Sequence, residues 1–474
     1  MVFSSIIFLL YFLPAFLLTY YFADKKYKNF VILFFSVFFY AWGAPKFIFV
    51  ILGTTFLDYY LVKAMSSTEN RLYRRLMLTL SVSINLGLLC YFKYCNFFIE
   101  NTNELLSYFG MSGIHWTKLI LPIGISFYTF ETITYVVDVY RRVHKPLSNF
   151  WDYQLYIILF PKLIAGPIVR YHEIADQISD RTPNDTVDEK LMGFYRFAIG
   201  LAKKVLIANQ MGLYADAVFS SSYTDLNSYA AWTAILAYTF QIYFDFSGYS
   251  DMAIGIARMI GFRFPENFNS PYIAQSVTEF WRRWHITLGN WMRNYLYIPL
   301  GGNRADTKWK LYFNLWLVFL ASGFWHGASW NFIIWGAYHG LFLVLERIFL
   351  LKVYTRAGKF LSTLFTFFVI TIGWVFFRIE KFGDAVLYLK KMFSFYFILP
   401  QETNTQFNTF FILALFFAFF AYFKKGERIQ EFVYFGKYTV SEHTVMTALS
   451  LMLFILSVSF IAAVGFNPFI YFRF

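Results

Sequence analysis

Charged residues are scarce in this chain of 474 residues: they make up 15% of it, against 58% for hydrophobic residues. Soluble chains average about 25% charged residues, so the composition excludes a water-facing shell around a soluble core. Apolar runs recur from end to end, as in proteins with many membrane-spanning helices. The formal net charge of +13 fits basic cytoplasmic loops, where Lys and Arg accumulate, and we expect no nucleic-acid partner.

Cysteine is almost absent, since Cys90 and Cys95 are the two in the chain. They stand five residues apart in one apolar segment, a spacing at which a disulfide within a helix is not expected. Clustered metal ligands and a glycine-rich phosphate loop are missing from the sequence as well. We therefore expect no metal site and no permanently bound cofactor.

Long polar stretches are also missing, and the clearest one covers residues 171–192. We therefore predict an all-α fold with one polytopic membrane domain over residues 1–474. Residues 3–22 are expected to remain as the first span, because no basic cluster precedes them and no signal cleavage motif follows. In the middle of the chain, apolar segments broken by Pro, Gly and charge indicate helices that line a cavity or are buried in protein.

Basic clusters separate the apolar runs and predict their orientation. "DKKYKN" (24–29), "YRRVHK" (140–145) and "KKGER" (424–428) are typical of cytoplasmic loops, whereas the connection 101–116 has little charge. This alternation predicts that both termini lie outside the cytoplasm. The aromatic stretch "GFNPFIYFRF" (465–474) then follows the last span as an extracytoplasmic C-terminal motif.

One block of the sequence combines tryptophans, arginines and a histidine: "EFWRRWHITLGNWMRNYLYIPLGGNR" (279–304). On a helical wheel its tryptophans fall within about 120° of arc, opposite most of its arginines. The block predicts one amphipathic helix at a membrane interface, with His285 at the margin of the apolar stripe. A tryptophan-belted surface helix with an incidental histidine is the alternative.

A second block, "LYFNLWLVFLASGFWHGASWNFIIWGAYHG" (311–340), contains His326 after Trp325. The apolar run 311–322 has 12 residues, and a helix of that length rises about 18 Å, short of the roughly 30 Å hydrocarbon core. The turn is therefore expected inside the membrane, where an ionisable residue is a functional candidate. A histidine held structurally within a tight turn is the alternative.

Two acidic residues, Asp245 and Asp251, lie in the apolar segment "YFDFSGYSDMAIG" (243–255). Buried carboxylates need partners, so each is expected to orient a histidine or to pair with an arginine. A structural polar network between helices is the alternative for both residues.

These blocks closely resemble the membrane-bound O-acyltransferase (MBOAT) family. "FWRRWHITLGNWMRNYLYIPLGGNR", "GFWHGASWNFIIWGAYHG" and "LFPKLIAGPIVRY" carry the resemblance, which covers nearly the whole chain. The branch it resembles most contains the membrane subunit of bacterial alginate O-acetyltransferase. The resemblance implies a helical bundle with about eleven transmembrane helices, plus re-entrant and interfacial helices, in the bacterial cytoplasmic (inner) membrane.

The resemblance also implies roles for individual residues. His326, in "WHG", matches the catalytic histidine, and His285, in "RRWH", matches the second active-site histidine. Tyr471 matches a tyrosine that related D-alanylation systems carry on a small companion protein as an acyl relay. Trp325, Asp245 and Asp251 are expected to support the site. The arginines expected to meet the donor's phosphates are Arg282, Arg283, Arg293 and Arg304, and a charge on a solvated helix face is the alternative for each of them.

The implied activity is O-acetyl transfer from a cytoplasmic thioester, acetyl-CoA or an acyl carrier protein, to an exported polysaccharide such as alginate. The expected partners are an extracytoplasmic polysaccharide acetyltransferase, the polysaccharide biosynthesis and export machinery, and membrane lipid. Two other functions stay open from the residues alone: a transporter or flippase for a lipid-linked saccharide, and a non-catalytic scaffold for a separate transferase.

Overall fold

The structure is a computed structural model that describes residues 1–399, 405–465 and 469–470. Within these residues the chain is helical, which confirms the all-α prediction. The chain forms two compact units, one made of Met1–Gly193 with Ile256–Pro265 and the other of Phe194–Gly255 with Glu266–Phe474. One functional domain over residues 1–474 stays a prediction.

The first unit is built from eight complete helices of the described chain and the beginning of a ninth. They are α1 (Leu13–Phe22), α2 (Lys28–Gly43), α3 (Ile48–Ser66), α4 (Arg71–Tyr108), α5 (Ile125–Tyr140), α6 (Phe150–Ile158), α7 (Phe160–Leu163), α8 (Tyr171–Ser179) and the first part of α9 (Val187–Ala202). Polar side chains cap the N-termini of several of these helices. The side chain of Asn70, for example, accepts hydrogen bonds from the backbone N–H groups of Leu72 and Tyr73 at 3.0 and 3.2 Å, which caps α4.

The core of the first unit combines an aromatic cluster with a buried ion pair. The ring of Phe160, at the start of α7, lies 5.0 Å from that of Phe16 and 5.4 Å from that of Phe39. Two residues further on, Lys162 pairs with Glu131 of α5, and both side chains are fully buried. Because an unpaired buried charge is costly, this pair ties the short helix α7 to α5.

The second unit holds the rest of the helices. They are α10 (Asn209–Phe219), α11 (Ser228–Met259), α12 (Val277–Arg283), α13 (Ile286–Trp291), α14 (Lys308–His326), α15 (Trp330–Leu345), α16 (Leu351–Arg378), α17 (Phe382–Met392), α18 (Thr405–Phe419), α19 (Lys424–Phe435) and α20 (Val440–Val464). The last residues of α11 belong to the first unit. Three π-helical segments interrupt or extend these helices, at Lys203–Ala208, Met292–Tyr297 and Glu346–Leu350.

A tight hairpin joins α14 to α15. A Cβ atom on Gly323 would collide with the carbonyl of Phe332, and one on Gly336 would collide with the carbonyl of Phe319. Glycine at both positions therefore allows the two backbones to approach closely. α14 has 19 residues because it begins at Lys308, where Thr307 caps it. The prediction of a short helix before His326 is therefore wrong, and the depth of the turn in the membrane stays a prediction.

The predicted single helix over residues 279–304 is also wrong. The structure divides this block into α12, a break at Trp284 and His285, α13, and the π-helical segment Met292–Tyr297. At the break, Trp284 forms an antiparallel bridge with Phe268. Phe268 lies outside the block, so helical periodicity within the block does not reveal this contact.

Five helical stretches of the described residues are long and apolar enough to cross a membrane. They are Ile48–Ser66, Arg71–Tyr108, Trp330–Arg378, Thr405–Tyr422 and Val440–Ala463. In three of them, those starting at Arg71, Thr405 and Val440, only 17% of the most apolar window is buried. Apolar side chains thus cover the outside of these helices, as contact with lipid requires. The count of about eleven spans stays a prediction.

Candidate active site

His285 lies at the break between α12 and α13, with a left-handed backbone at φ 45° and ψ 52°. A non-glycine residue in this region is strained, and such strain is concentrated at functional sites. The side chain is 2% exposed. Its ring meets that of Phe246 of α11 edge to face, with centroids 4.7 Å apart.

Asn267 holds the imidazole of His285 in one orientation. Its Oδ1 lies 3.0 Å from His285 Nδ1 and 2.9 Å from the hydroxyl of Thr287. The backbone N–H of Thr287 also points to Oδ1, at 3.4 Å, and the backbone carbonyl of Asn267 accepts from Ile286 N at 2.9 Å. Asn267 Nδ2 donates to Ser250 Oγ at 3.0 Å.

These contacts define the tautomer of His285. An amide oxygen can only accept, so Nδ1 of His285 must donate its proton to Asn267. In the neutral ring, Nε2 then carries the lone pair. This buried nitrogen has no hydrogen-bond partner among the described residues. His285 therefore offers a hydrogen-bond acceptor whose position and tautomer are fixed from the other side of the ring.

His326 ends α14 and is 6% exposed. Its ring packs edge to face against Trp335 of α15 and Phe377 of α16, at centroid distances of 5.2 and 5.3 Å. Trp325 lies beside both histidines, 5.0 Å from the ring of His326 and 6.4 Å from that of His285. The structure thus supports the predicted neighbourhood of these three residues.

One cavity brings the two histidines together. It has a volume of about 430 Å³, and both His285 and His326 line it. Trp281 of α12 lines it as well, and its buried Nε1 has no hydrogen-bond partner among the described residues. Two lining residues of this cavity therefore carry buried polar atoms without a described partner: Trp281 Nε1 is a donor, and His285 Nε2 is an acceptor. Buried polar atoms are normally paired.

Three arginines, Arg282, Arg293 and Arg347, also line this cavity. None of them forms an ion pair with a carboxylate in the part of the chain that the structure describes. Arg347 Nη2 lies 3.4 Å from Asn303 Oδ1, which accepts from the Tyr297 hydroxyl at 2.8 Å. Unpaired guanidinium groups around a cavity are suited to an anionic ligand.

The other two arginines predicted to bind the donor are placed differently. Arg283 pairs with Glu279 at 2.8 Å and donates to the carbonyl of Asn269 at 3.1 Å. Arg304 ends the short turn Gly302–Arg304 and is exposed. Neither belongs to the cavity lining. A donor-binding role for these two residues stays a prediction without geometric support.

The carboxylate of Glu346 positions α12. It accepts hydrogen bonds from the backbone N–H groups of Val277 and Thr278 at 2.5 and 2.9 Å, and from the hydroxyl of Thr278. The N–H groups of the first turn of a helix have no partner within the helix, so Glu346 caps α12 from the π-helical segment that also carries Arg347. The helix leading to His285 is thereby attached to the end of α15.

The two predicted supporting aspartates form ion pairs within the second unit. Asp251 pairs with Arg196 at 2.7 Å and with Lys203 at 2.6 Å. Asp245 pairs with Lys204 at 2.7 Å and accepts from the backbone N–H of Ile470 at 2.7 Å. Neither aspartate lines the cavity. The geometry favours the structural network, with Asp245 holding the C-terminal segment.

The described end of the C-terminal segment packs close to His285. Phe469 is 1% exposed, and its ring lies 4.7 Å from that of Tyr249 and 5.8 Å from that of Phe246. Phe246 is the residue whose ring contacts His285. The predicted relay residue Tyr471 lies outside the described residues.

Comparison with known proteins identifies the family. The model of the membrane-bound O-acyltransferase family matches residues 5–380. The chain belongs to the MBOAT family. This match confirms the resemblance inferred from the sequence blocks. As an MBOAT protein the chain is a membrane-integral acyltransferase, which confirms the predicted enzyme class.

Three relatives of this MBOAT protein share much of its length. The probable alginate O-acetylase AlgI of Pseudomonas aeruginosa is 46% identical over 397 residues, covering 83% of this chain and 75% of its own. The protein of that name from Pseudomonas putida is 41% identical over an alignment of 490 positions that covers both chains completely. The peptidoglycan O-acetyltransferase of Helicobacter pylori is 39% identical over 426 residues, covering 83% and 80%.

Among the residues of this MBOAT site that the sequence did not predict are Asn267, Arg347 and Glu346. Asn267 lies in "ENFN" and Glu346 with Arg347 in "LERIF", both outside the blocks that drew attention. A carboxylate inside an apolar stretch is a signal that could have identified Glu346. No comparable pattern marks Asn267, because its role depends on a tertiary contact.

Proposed function

We propose that this MBOAT protein is an O-acetyltransferase that moves an acetyl group from a cytoplasmic thioester toward an exported polysaccharide. The cavity carries the proposal, since it combines His285, His326 and three unpaired arginines. The names of the three relatives, two alginate O-acetylases and a peptidoglycan O-acetyltransferase, support acetyl as the acyl group and a polysaccharide as the acceptor. Alginate is the polymer that we propose to test first.

The reaction needs a base and a group that binds the carbonyl oxygen. In the transfer from the donor, a hydroxyl oxygen attacks the thioester carbonyl, the C–O bond forms and the C–S bond breaks. We assign the proton of the hydroxyl to His326, assisted by His285, and this proton then passes to the leaving thiolate. The indole N–H of Trp281 is a candidate donor to the carbonyl oxygen on which negative charge develops.

The arginines suit a donor that carries phosphates. Acetyl-CoA has a diphosphate and a 3′-phosphate, and Arg282, Arg293 and Arg347 present guanidinium groups without carboxylate partners. We therefore propose acetyl-CoA as the donor substrate. An acyl carrier protein presents one phosphodiester on its prosthetic arm, and it is the competing donor in the same assay.

Tyr471 is the proposed first acceptor of the acetyl group. The two residues before it support this role, because Ile470 is held by Asp245 and Phe469 packs against Phe246, next to His285. A tyrosine hydroxyl has a pKa of about 10 in water, so a nearby histidine base is needed at neutral pH. A nucleophile of an extracytoplasmic polysaccharide acetyltransferase then attacks the carbonyl of the acetyl-tyrosine ester and takes the acetyl group. The ester C–O bond breaks, the proton of the nucleophile passes to the Tyr471 oxygen, and CoA stays in the cytoplasm.

Mass analysis of the C-terminal peptide tests this proposal. The purified protein is incubated with acetyl-CoA, cleaved, and examined for one acetyl group on Tyr471. The acetylated peptide is expected from the unchanged protein and absent from Tyr471→Phe and His326→Ala. His115→Ala, at an exposed histidine of the first unit, is the matched control and should behave like the unchanged protein.

Two results would separate parts of the proposal. An unmodified Tyr471 during ongoing polymer acetylation would exclude the relay but leave direct transfer in place. Acetylation of polymer at an unchanged rate in both His326→Ala and His285→Ala would exclude the histidines as the catalytic pair.

A further inference from the structure

A second cavity lies within the first unit, and none of its lining residues belongs to the candidate active site. Its volume is about 660 Å³. Two segments form most of its wall: the turn between α1 and α2, and the loop that follows α8. Its charged lining residues are Lys25, Lys26, Lys28, Asp180, Arg181 and Asp185, and the aromatic side chains of Tyr20 and Tyr21 line it as well.

Arg181 is the unusual residue of this cavity. It is 9% exposed, yet it forms no ion pair among the described residues. Its described hydrogen bonds all go to neutral atoms. Nε donates to the Tyr20 hydroxyl at 3.2 Å and to the carbonyl of Ile260 at 3.1 Å, and Nη1 donates to Asn29 Oδ1 at 2.6 Å. A buried charge normally has a counter-charge. The guanidinium is therefore fixed in place without one.

The carboxylates of the cavity are already engaged with other groups. Asp180 accepts from Thr182 Oγ1 at 2.6 Å and pairs with Lys25 at 3.3 Å. Asp185 pairs with Lys28 at 2.8 Å and with Lys190 at 2.7 Å. Lys26 has no carboxylate partner among the described residues; its Nζ lies 4.7 Å above the ring of Tyr27.

Both aspartates stay ionised at neutral pH. The hydrogen bonds from Thr182, with the help of Lys25, lower the pKa of Asp180 to about 2. Burial raises the pKa of Asp185, but the hydrogen bonds from Lys190 and Lys28 outweigh it and leave this pKa below its ordinary value. The lining then carries four positive side chains, Lys25, Lys26, Lys28 and Arg181, against two negative ones. The cavity has a net charge of two positive units.

We propose that this cavity binds a phosphate group, with Arg181 as its fixed donor and Lys26 as its second cation. A singly or doubly charged phosphate group is complementary to this positive excess, and its oxygens accept hydrogen bonds from the planar N–H groups of a guanidinium. The aromatic side chains of Tyr20 and Tyr21 line the same cavity and can cover the apolar part of a larger ligand. A phospholipid headgroup and a water-soluble phosphate share this chemistry.

Thermal unfolding of the purified full-length protein tests the proposal. One arm places the protein in nanodiscs of phosphatidylcholine and titrates inorganic phosphate against chloride at constant ionic strength. The other arm compares nanodiscs of phosphatidylcholine with nanodiscs that contain phosphatidylglycerol. A ligand that binds only the folded state raises the unfolding midpoint, here by an expected shift of about 2 °C or more at saturation. Stabilisation by phosphate alone indicates a soluble ligand, and stabilisation by phosphatidylglycerol alone indicates a headgroup.

Three variants connect the shift to the cavity. Arg181→Gln should weaken binding of the stabilising ligand about tenfold or more, because it removes a charged hydrogen-bond donor. Arg181 also holds Asn29 and Ile260. Lys26→Gln therefore provides a second variant, which breaks no hydrogen bond or ion pair among the described residues and affects only the contact with the ring of Tyr27. It should weaken binding by about threefold or more. Lys46→Gln removes the same charge at an exposed position outside the cavity and should leave binding unchanged.

The proposal is wrong if neither phosphate nor phosphatidylglycerol stabilises the unchanged protein. It is equally wrong if Lys46→Gln reduces the shift as much as Lys26→Gln does, since the effect would then come from overall charge. Acetyl transfer uses none of these residues, so the outcome is independent of the proposed function.

Discussion

His285 is held in a left-handed backbone conformation. Asn267 accepts a hydrogen bond from its ring, and also accepts from the two residues that follow it, from the backbone N–H of Ile286 and from the hydroxyl of Thr287. The strain at His285 therefore has a structural consequence, because it turns the imidazole toward Asn267 and leaves Nε2 for a ligand. An asparagine at this position keeps the partner of Nδ1 neutral. A carboxylate there would stabilise the imidazolium, which cannot accept a proton.

Substitution of Asn267 should therefore change the pH dependence of acetyl transfer. In Asn267→Asp, the new carboxylate stabilises protonated His285 and raises the pKa of this histidine. The acidic limb of the pH–rate profile should therefore lie at higher pH, by about one unit or more. In Asn267→Ala, the tautomer is no longer fixed, and kcat should fall about tenfold or more with little change in KM. Measured pH–rate profiles distinguish these effects.

Asn227→Asp is the control for the Asn267 variants. Asn227 caps the first turn of α11 through Ala230 N, and aspartate caps a helix equally well. This variant adds the same charge in the same unit outside the cavity lining. A rate profile of unchanged shape in both Asn267 variants would show that Asn267 has only a packing role.

Arg347 gives a second prediction at the scale of single residues. Arg347→Gln should raise KM for acetyl-CoA about tenfold, because one charged hydrogen bond to a phosphate is lost, and should leave kcat nearly unchanged. Arg304→Gln removes the same charge outside the cavity lining and should leave KM within about twofold. Equal KM values for the two variants would contradict the assignment of the arginines to the donor.

At the scale of helices, the sequence is informative where periodicity is local. It predicts the helical hairpin around "GFWHG" and the position of His326 beside Trp325, and the structure has both. It also predicts His285, Arg282 and Arg293 as candidate site residues, and all three line one cavity. These residues are recognisable because helical spacing and family motifs are encoded within short stretches.

The sequence fails where non-local contacts interrupt a helix. Residues 279–304 have helical periodicity, yet the contacts of Asn267 and Phe268 break the helix at His285. A search for the 3.6-residue periodicity of an α-helix does not predict the π-helical segments either. Each of the three in the second unit carries a charged residue with a defined position: Lys203 pairs with Asp251, Arg293 lines the cavity, and Glu346 caps α12. A widened turn redirects a side chain, as is often seen at functional sites.

The hairpin of α14 and α15 leads to a prediction on stability. In Gly336→Ala, the added methyl group meets the carbonyl of Phe319 and the backbone of Leu320, so the helices must separate. The expected loss is about 1–3 kcal/mol of unfolding free energy, together with reduced acetyl transfer because His326 ends α14. Thermal unfolding and the acetylation assay measure both effects.

The control for the hairpin is Gly53→Ala in α3. A Cβ atom at Gly53 meets no atom within 4 Å, and alanine is the better helix former. This variant should keep or slightly raise the unfolding midpoint. A midpoint for Gly336→Ala that equals that of Gly53→Ala would contradict the close approach of the two helices.

At the scale of the whole molecule, the proposed reaction needs a defined orientation in the membrane. The donor is expected in the cytoplasm and the acceptor outside, so the basic loops must lie on the donor's side. The two native cysteines, Cys90 and Cys95, belong to α4. Replacing both by alanine creates a background in which single cysteines report the side of the membrane.

Ser112→Cys and Lys425→Cys are suitable reporters, because both positions are exposed and have opposite predicted sides. Ser112 lies in the connection after α4, and Lys425 lies in the first turn of α19. A membrane-impermeant maleimide added to intact spheroplasts should label Ser112→Cys and spare Lys425→Cys, since positive charge stays in the cytoplasm. Permeabilised cells, in which both cysteines should react, provide the control for accessibility. The reverse pattern in intact cells would place the C-terminal segment with Tyr471 on the cytoplasmic side. Acetyl transfer through Tyr471 to an external partner would then be impossible, whatever the two histidines do.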